Sequence, residues 1–135
     1  MLVETEAVVL RRQPYRESSL LVGLYTRSHG RVDGIVKGAN SARGRKTHGY
    51  YQPLSQLQVQ FYYKEQRSLQ TISQSHFARF YLTLDQHPLK HGYALLMLEV
   101  FAKAVKEEEA NEALYTFLTQ HLLALDAASQ GFFPL

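Results

Sequence analysis

The chain contains no cysteine. That excludes a disulfide framework, a thiolate metal site and a cysteine nucleophile, and it fits a reducing compartment. Long apolar runs are also lacking, since none approaches the ~18 residues that a membrane helix needs. The opening MLVETEAVVLRR sets acids ahead of a short apolar run, unlike a secretory leader, so a soluble, intracellular protein is expected. No internal repeat or low-complexity tract occurs in the 135 residues, a length that suits one domain or two small ones. What is present is a folding composition: 45% hydrophobic, 12% aromatic and 20% charged residues argue against wholesale disorder.

Acid is scarce where base is abundant. Residues 1–79 hold twelve Lys or Arg against five Asp or Glu, a net charge of +7, whereas residues 80–135 carry −4. Halves of opposite sign predict two modules, 1–79 and 80–135, with the first facing a polyanion. Between Arg27 and Lys46 six cations stand against the single acid Asp33, and four of the six fall within Lys37–Lys46. That ten-residue stretch has no large apolar side chain to repay its ordering entropy, so an exposed loop is expected there. Cations on such a loop can follow a phosphate backbone and release counterions; the bland alternative is a solvated, solubilising surface.

The pattern of the first module is that of strands. Ala7–Leu10 within residues 3–13, Leu20–Tyr25 and Arg31–Val36 read as three, with Pro14 in the first connection and Ser28-His29-Gly30 as a hairpin turn. Apolar residues on both faces of the second predict a sheet covered on both sides or closed, and Gly23 there suits a bulge or sharp coiling. From Ser55 the alternation Leu57, Val59, Phe61, Tyr63 against Gln56, Gln58, Gln60, Tyr62 marks a half-buried strand, followed by a fifth over Ser68–Ser75. From about Phe80 the period becomes helical. Tyr93, Leu96, Met97, Val100, Phe101 and Ala104 predict one helix face, starting near Asp85 or Pro88 with Asp85 as the cap and Pro88 tolerated in the first turn, and broken at Glu107–Glu109. Asn111 caps a second helix whose face is Leu114, Phe117, Leu118, His121, Leu122 and Leu125, stopped by Gly131 and Pro134. The predicted class is α+β: a five-stranded antiparallel OB-type barrel followed by a small helical segment, with an SH3-like barrel as nearest competitor.

No catalytic constellation emerges. His87 and His91 share a spacing but lack a third ligand, His121 reads as a packing residue, and neither a metal nor another cofactor is expected. Ser18-Ser19 lacks a nucleophile elbow, the glycines spell no phosphate loop, and the adjacent Glu107–Glu109 cannot converge as an acid/base pair. A non-enzymatic protein is expected. Aromatic and cationic residues instead interleave: Tyr15 with Arg11, Arg12 and Arg16; Tyr25 with Arg27; Tyr50 and Tyr51 after Lys46; Tyr62 on a polar strand face. Bases stacking on rings while cations follow phosphates is how single strands are bound; the alternative is that these rings cover barrel edges.

The run AVVLRRQPYRESSLLVGLYTRSHGRVDGIVKGANS (residues 7–41), followed by YYQPLSQLQV (residues 51–59), resembles the N-terminal domain of RecO, the bacterial recombination mediator family. The shared pieces are V-L-x-x-x-x-x-x-E-x-S, Y-T-R-x-x-G-R, V-K-G-A and Q-P-L. The resemblance implies an OB-fold domain binding single- and double-stranded DNA, then a helical domain that is incomplete here, because members run on well beyond residue 135. It implies a cytoplasmic, nucleoid-associated bacterial protein in DNA damage repair and recombination. Such a protein displaces single-strand-binding protein, whose acidic tail docks on the helical domain, anneals strands, and with RecR loads RecA. The four-cysteine zinc motif of some relatives would lie beyond residue 135. On that likeness the DNA-binding role passes to Arg31, Lys37, Arg43, Arg45 and Lys46, with Arg11, Arg12 and Arg16 beside them and Tyr62 as an exposed ring. The rival reading is a protein-interaction adaptor whose basic barrel meets an acidic tail; RNA binding by the same barrel is a third.

Overall fold

Alternating burial builds the first part of the chain. In the computed structural model, which describes residues 1–39 and 49–128, five strands run β1 (Leu2–Tyr15), β2 (Ser19–Thr26), β3 (Gly30–Val36), β4 (Gln56–Tyr62) and β5 (Gln70–Arg79). They close in the order β1-β2-β3-β5-β4, with β4 returning to β1. This is an OB-type barrel followed by two helices, α1 (Pro88–Ala104) and α2 (Glu112–Ala127). Closure depends on a short parallel join of β3 to β5, Gly34 opposite Gln70 and Ile35 opposite Thr71. All other strand pairs are antiparallel.

Strands apolar on both faces serve two cores. Ala7, Val9, Leu20, Val22, Leu24, Val59 and Phe61 fill the barrel. Val8, Leu10, Tyr25 and Leu54 point outward and pack with Ala94 and Leu98 of α1 and Tyr115, Leu118, Leu122 and Leu125 of α2. Tyr25 is thus a core residue of the barrel–helix junction, its ring edge-on to Phe101 with centroids 5.1 Å apart. The bulge anticipated near Gly23 sits across from it: Val9 faces Leu24 and Arg11 faces Gly23, leaving Leu10 as the extra residue of β1. Gly30 takes φ 63° in the predicted hairpin turn.

Four expectations need correction. β5 covers Gln70–Arg79 rather than Ser68–Ser75: Leu69 precedes the strand, and pairing with β4 continues past Ser75 to Arg79 through register shifts opposite Gln60/Phe61 and Gln56/Leu57. The cap of α1 is His87, whose Nδ1 accepts the Lys90 amide, while Asp85 lies 3.7 Å from His91 Nδ1. The buried face of α1 is Lys90, Ala94 and Leu98, and Leu96 and Val100 are exposed. Apolar residues surround this helix, so its periodicity does not identify the inward face. On α2, Leu118, Leu122 and Leu125 are buried as expected, but Tyr115 and Thr119 join them and Phe117 is exposed. Asn111 caps α2 by accepting the Leu114 amide at 3.0 Å. Gly131 and Pro134 lie outside the described residues.

The linker between barrel and helices is pinned at both ends. Tyr81 donates its hydroxyl to the Leu54 carbonyl at 2.6 Å and accepts from Gln56 Nε2. Burial, with the charges of Asp85 and Asp126, pushes this phenol up to about 12 against the opposing Gln56 bond. The Asp126 carboxylate accepts the amides of Leu82, Thr83 and Leu84, at 2.8 to 2.9 Å. The buried Lys90 ammonium donates to Thr83 Oγ1 at 2.7 Å and to the Asp126 carbonyl at 3.1 Å.

Candidate nucleic-acid interface

Pairing across β1, β2 and β3 assembles the first cationic site. Arg11 on β1 and Arg31 on β3 flank Gly23 on β2, and a Cβ placed at Gly23 would lie 3.1 Å from Arg11 Cγ and 3.2 Å from Arg31 Nη2. The missing side chain is what lets both arginines cross the strand. Arg31 Nε stands 3.4 Å from Asp33 Oδ1, so one carboxylate balances part of this charge. Arg11, Arg12 and Arg31 line a groove of about 750 Å³ between barrel and α1, with Lys103 and Lys106 opposite and Glu99 and Glu108 interspersed. Its apolar lining includes Leu10, Pro53, Leu95 and Leu98. Lys103 pairs with Glu99 at 3.3 Å along the exposed helix, a contact of little energy in water.

A second groove, of about 550 Å³, lies where β3 and β5 part. Val36, Lys37, Tyr50, Tyr51 and Thr71–His76 line it, and none of these carries a carboxylate. The Tyr51 hydroxyl is hydrogen-bonded to Ser75 Oγ, and burial raises its pKa despite that bond. Tyr50 contacts Phe77, and Phe77 contacts Phe80, each with centroids 4.8 Å apart.

The predicted residues therefore fall in several places. Arg11, Arg12 and Arg31 meet in the first groove, and Lys37 lines the second. Arg16, at φ 57°, occupies the β1–β2 turn with its guanidinium 5.1 Å from the Tyr15 ring centroid. Register puts that turn at the Lys37 end of the barrel, since Leu20 faces both Pro14 and Val36. Tyr62 is 54% exposed on β4, between Leu2 and Thr71. Arg43, Arg45 and Lys46 lie outside the described residues. Arg27, by contrast, is committed to structure: it pairs with Glu6 and Glu112 and covers the Tyr115 ring at 4.6 Å. Sequence reasoning missed Lys103 and Lys106, hidden in the acidic half, and Phe77, which the fold brings against Tyr50, with Phe80 against Phe77. Among the described residues no group of three His, Asp or Glu is placed to hold a metal ion, and no helix is long and apolar enough to cross a membrane.

Comparison with known proteins follows the same division of the chain. Residues 1–81 match the family model for the N-terminal part of recombination protein O, and residues 86–134 match that for its C-terminal part. The DNA repair protein RecO of Christiangramia forsetii is 28% identical over 131 residues, 96% of this chain and 55% of the relative. That of Syntrophobacter fumaroxidans is 34% identical over 121 residues, 90% of this chain and 47% of the relative. The chain thus spans about half the length of the curated relatives it matches. With both family models matching in sequence order on a barrel and its helices, the chain belongs to the recombination protein O family.

Proposed function

We propose that this chain is a non-enzymatic, DNA-binding recombination mediator of DNA repair, holding single- and double-stranded DNA by the sugar–phosphate backbone. The observation that carries the reading is the convergence of Arg11 and Arg31 over Gly23, beside Arg12 and with Asp33 as the near carboxylate. Converging guanidinium groups are stabilised by a polyanion, and Arg presents a donor fork that matches phosphate. Lys37, Arg43, Arg45 and Lys46 extend the contact, and Arg16 and Tyr62 contribute at its margins. Residues 1–79 act as the DNA-binding module and residues 80–135 as the docking and support module. In the cytoplasm, on the nucleoid, the family's partners would be RecR, the acidic tail of single-strand-binding protein and, indirectly, RecA, with strand annealing and recombinase loading as outcomes.

Titration of a single-stranded oligonucleotide across a salt series tests this. Replacing Arg43, Arg45 and Lys46 together by Ala should weaken binding and flatten log K against log salt by up to ~2 units, at roughly 0.7 per lost phosphate contact. An unchanged slope rejects these three as contacts.

One feature favours a second reading, an adaptor that binds an acidic protein tail: the first groove joins an apolar lining to a cationic rim. Competition between an acidic, hydrophobic-ended peptide and an oligonucleotide separates the two. A peptide that binds where no oligonucleotide does supports the adaptor.

A further inference from the structure

We propose that Tyr50, Phe77 and Phe80 form a stacking platform for the unpaired bases of a single strand, beside the β3–β5 groove. The inference deepens the DNA-binding reading and rests on it.

Three observations carry it. First, the rings form a continuous array, with tilted contacts of 4.8 Å from Tyr50 to Phe77 and again from Phe77 to Phe80. The array runs from a partly buried anchor, Tyr50, packed on the barrel core, to Phe80, which is 72% exposed. Leaving that much ring in water forfeits the burial that would repay it, and surface apolar patches of this kind mark contact sites.

Second, the join that closes the barrel is short there, and the strands diverge beyond it. β5 pairs with β3 only through Gln70 and Thr71, and from Gln74 onward its partners among the described residues are all on β4. The groove beside this segment runs up to Lys37 on one side and His76 on the other.

Third, the electrostatics select the occupant. Among the described residues the groove lining contains no carboxylate, whereas the groove at α1 includes Asp33, Glu99 and Glu108. Lys37 in the lining and Arg79, two residues beyond Phe77 on β5, supply cations beside the rings. Exposed rings beside a groove that offers a cation and hydroxyls match a strand whose bases offer π-faces and whose phosphates need neutralising. A duplex keeps its base faces inside the stack, so the platform serves unpaired bases alone.

The test compares the wild-type chain with Phe80→Ala, Phe80→Leu and Phe77→Ala/Phe80→Ala by fluorescence anisotropy. The probes are an oligothymidine, an abasic oligomer of equal length and a duplex. Losing a ring should weaken oligothymidine binding by about 5- to 150-fold, with the salt slope, abasic binding and duplex binding unchanged. Phe80→Leu keeps an apolar side chain but no ring, so it should behave like Phe80→Ala. If wild type binds oligothymidine and the variants bind it equally well, the platform is wrong while the DNA-binding reading stands, and the rings belong to a protein contact. Equal loss on the abasic oligomer also overturns the platform, because the effect would then not involve bases. If wild type binds none of the probes at any salt, the DNA-binding reading falls and the platform with it.

Discussion

The Arg31 amide donates to the Glu107 carbonyl at 2.9 Å, tying the start of β3 to the segment between the two helices. The acidic triplet, which begins three residues after α1 ends rather than breaking it, is therefore used twice. Its position past Ala104 keeps carboxylates out of the last helical turn, where they would oppose the dipole. Its backbone then crosses the β2–β3 hairpin and holds the helices to the barrel. Arg27 reinforces the same seam from the hairpin, reaching Glu6 on β1 and Glu112 at the start of α2.

Gly30 makes that crossing feasible, and substituting it should loosen the junction. Its φ of 63° favours a residue without a Cβ, and a Cβ there would lie 2.4 Å from the Glu109 oxygen and 2.6 Å from the Glu107 oxygen. Gly30→Ala combines left-handed strain of about 1–2 kcal/mol with a backbone clash, so a loss of about 2–4 kcal/mol is expected. Urea denaturation measures it. A change below about 0.5 kcal/mol, the size of an ordinary surface substitution, would show that the hairpin and the inter-helix segment are not in contact.

The inward face of α1 separates Leu98 from Leu96. Leu98 is 2% exposed against the outer barrel face, so Leu98→Ala should cost about 2–5 kcal/mol. Leu96 is 62% exposed, and Leu96→Lys should stay within about 0.5 kcal/mol of wild type by urea denaturation. Reversal of the two effects would restore the face that periodicity predicts.

That contrast shows what a sequence can display. Strand β4 was legible because one of its faces is oily and the other amide-bearing, so a period of two has only one solution. The Gly30 turn and the Asn111 cap were legible because each depends on a local preference of one residue. The inward side of α1 was not, since Leu89, Leu95, Leu96, Leu98 and Val100 offer apolar candidates on several faces. Arg11 and Arg31 are twenty residues apart and meet only through the β1–β2–β3 register. Phe77 and Phe80 resemble ordinary strand-end residues until Tyr50 is folded against Phe77.

Asp126 predicts an acid-sensitive linker. Burial pushes its carboxyl up, but the amides of Leu82, Thr83 and Leu84, aided by Lys90, more than offset this and hold it below the ordinary carboxylate value. A depressed folded value means that its stabilisation is complete above the unfolded pKa, near 3.9, and is lost as pH falls through the lower folded value. Asp126→Asn should destabilise the chain by about 1–3 kcal/mol at neutral pH, where charged acceptors are strongest. Chemical melts at descending pH should bring wild type towards the variant below about pH 4. A gap that stays constant into that range would mean that the carboxylate charge does not matter to the linker.

Tyr115 offers the opposite sign. Its ring is fully buried beneath the Arg27 guanidinium, yet its hydroxyl has no hydrogen-bond partner among the described residues. Burial first, and then the charge of Glu6, pushes this phenol far above its ordinary value against the opposing effect of Arg27, so it stays neutral throughout the physiological range. The oxygen therefore costs desolvation and returns no bond, while the ring supplies packing and the cation–π contact. Tyr115→Phe keeps the ring and removes the unpaired oxygen, so it should leave stability unchanged or raise it by about 1 kcal/mol. Tyr115→Leu loses the π-face as well and should destabilise the junction by about 1–3 kcal/mol. Thermal denaturation of the two variants side by side checks the sign, and destabilisation by the phenylalanine variant would mean that the hydroxyl has a partner in solution.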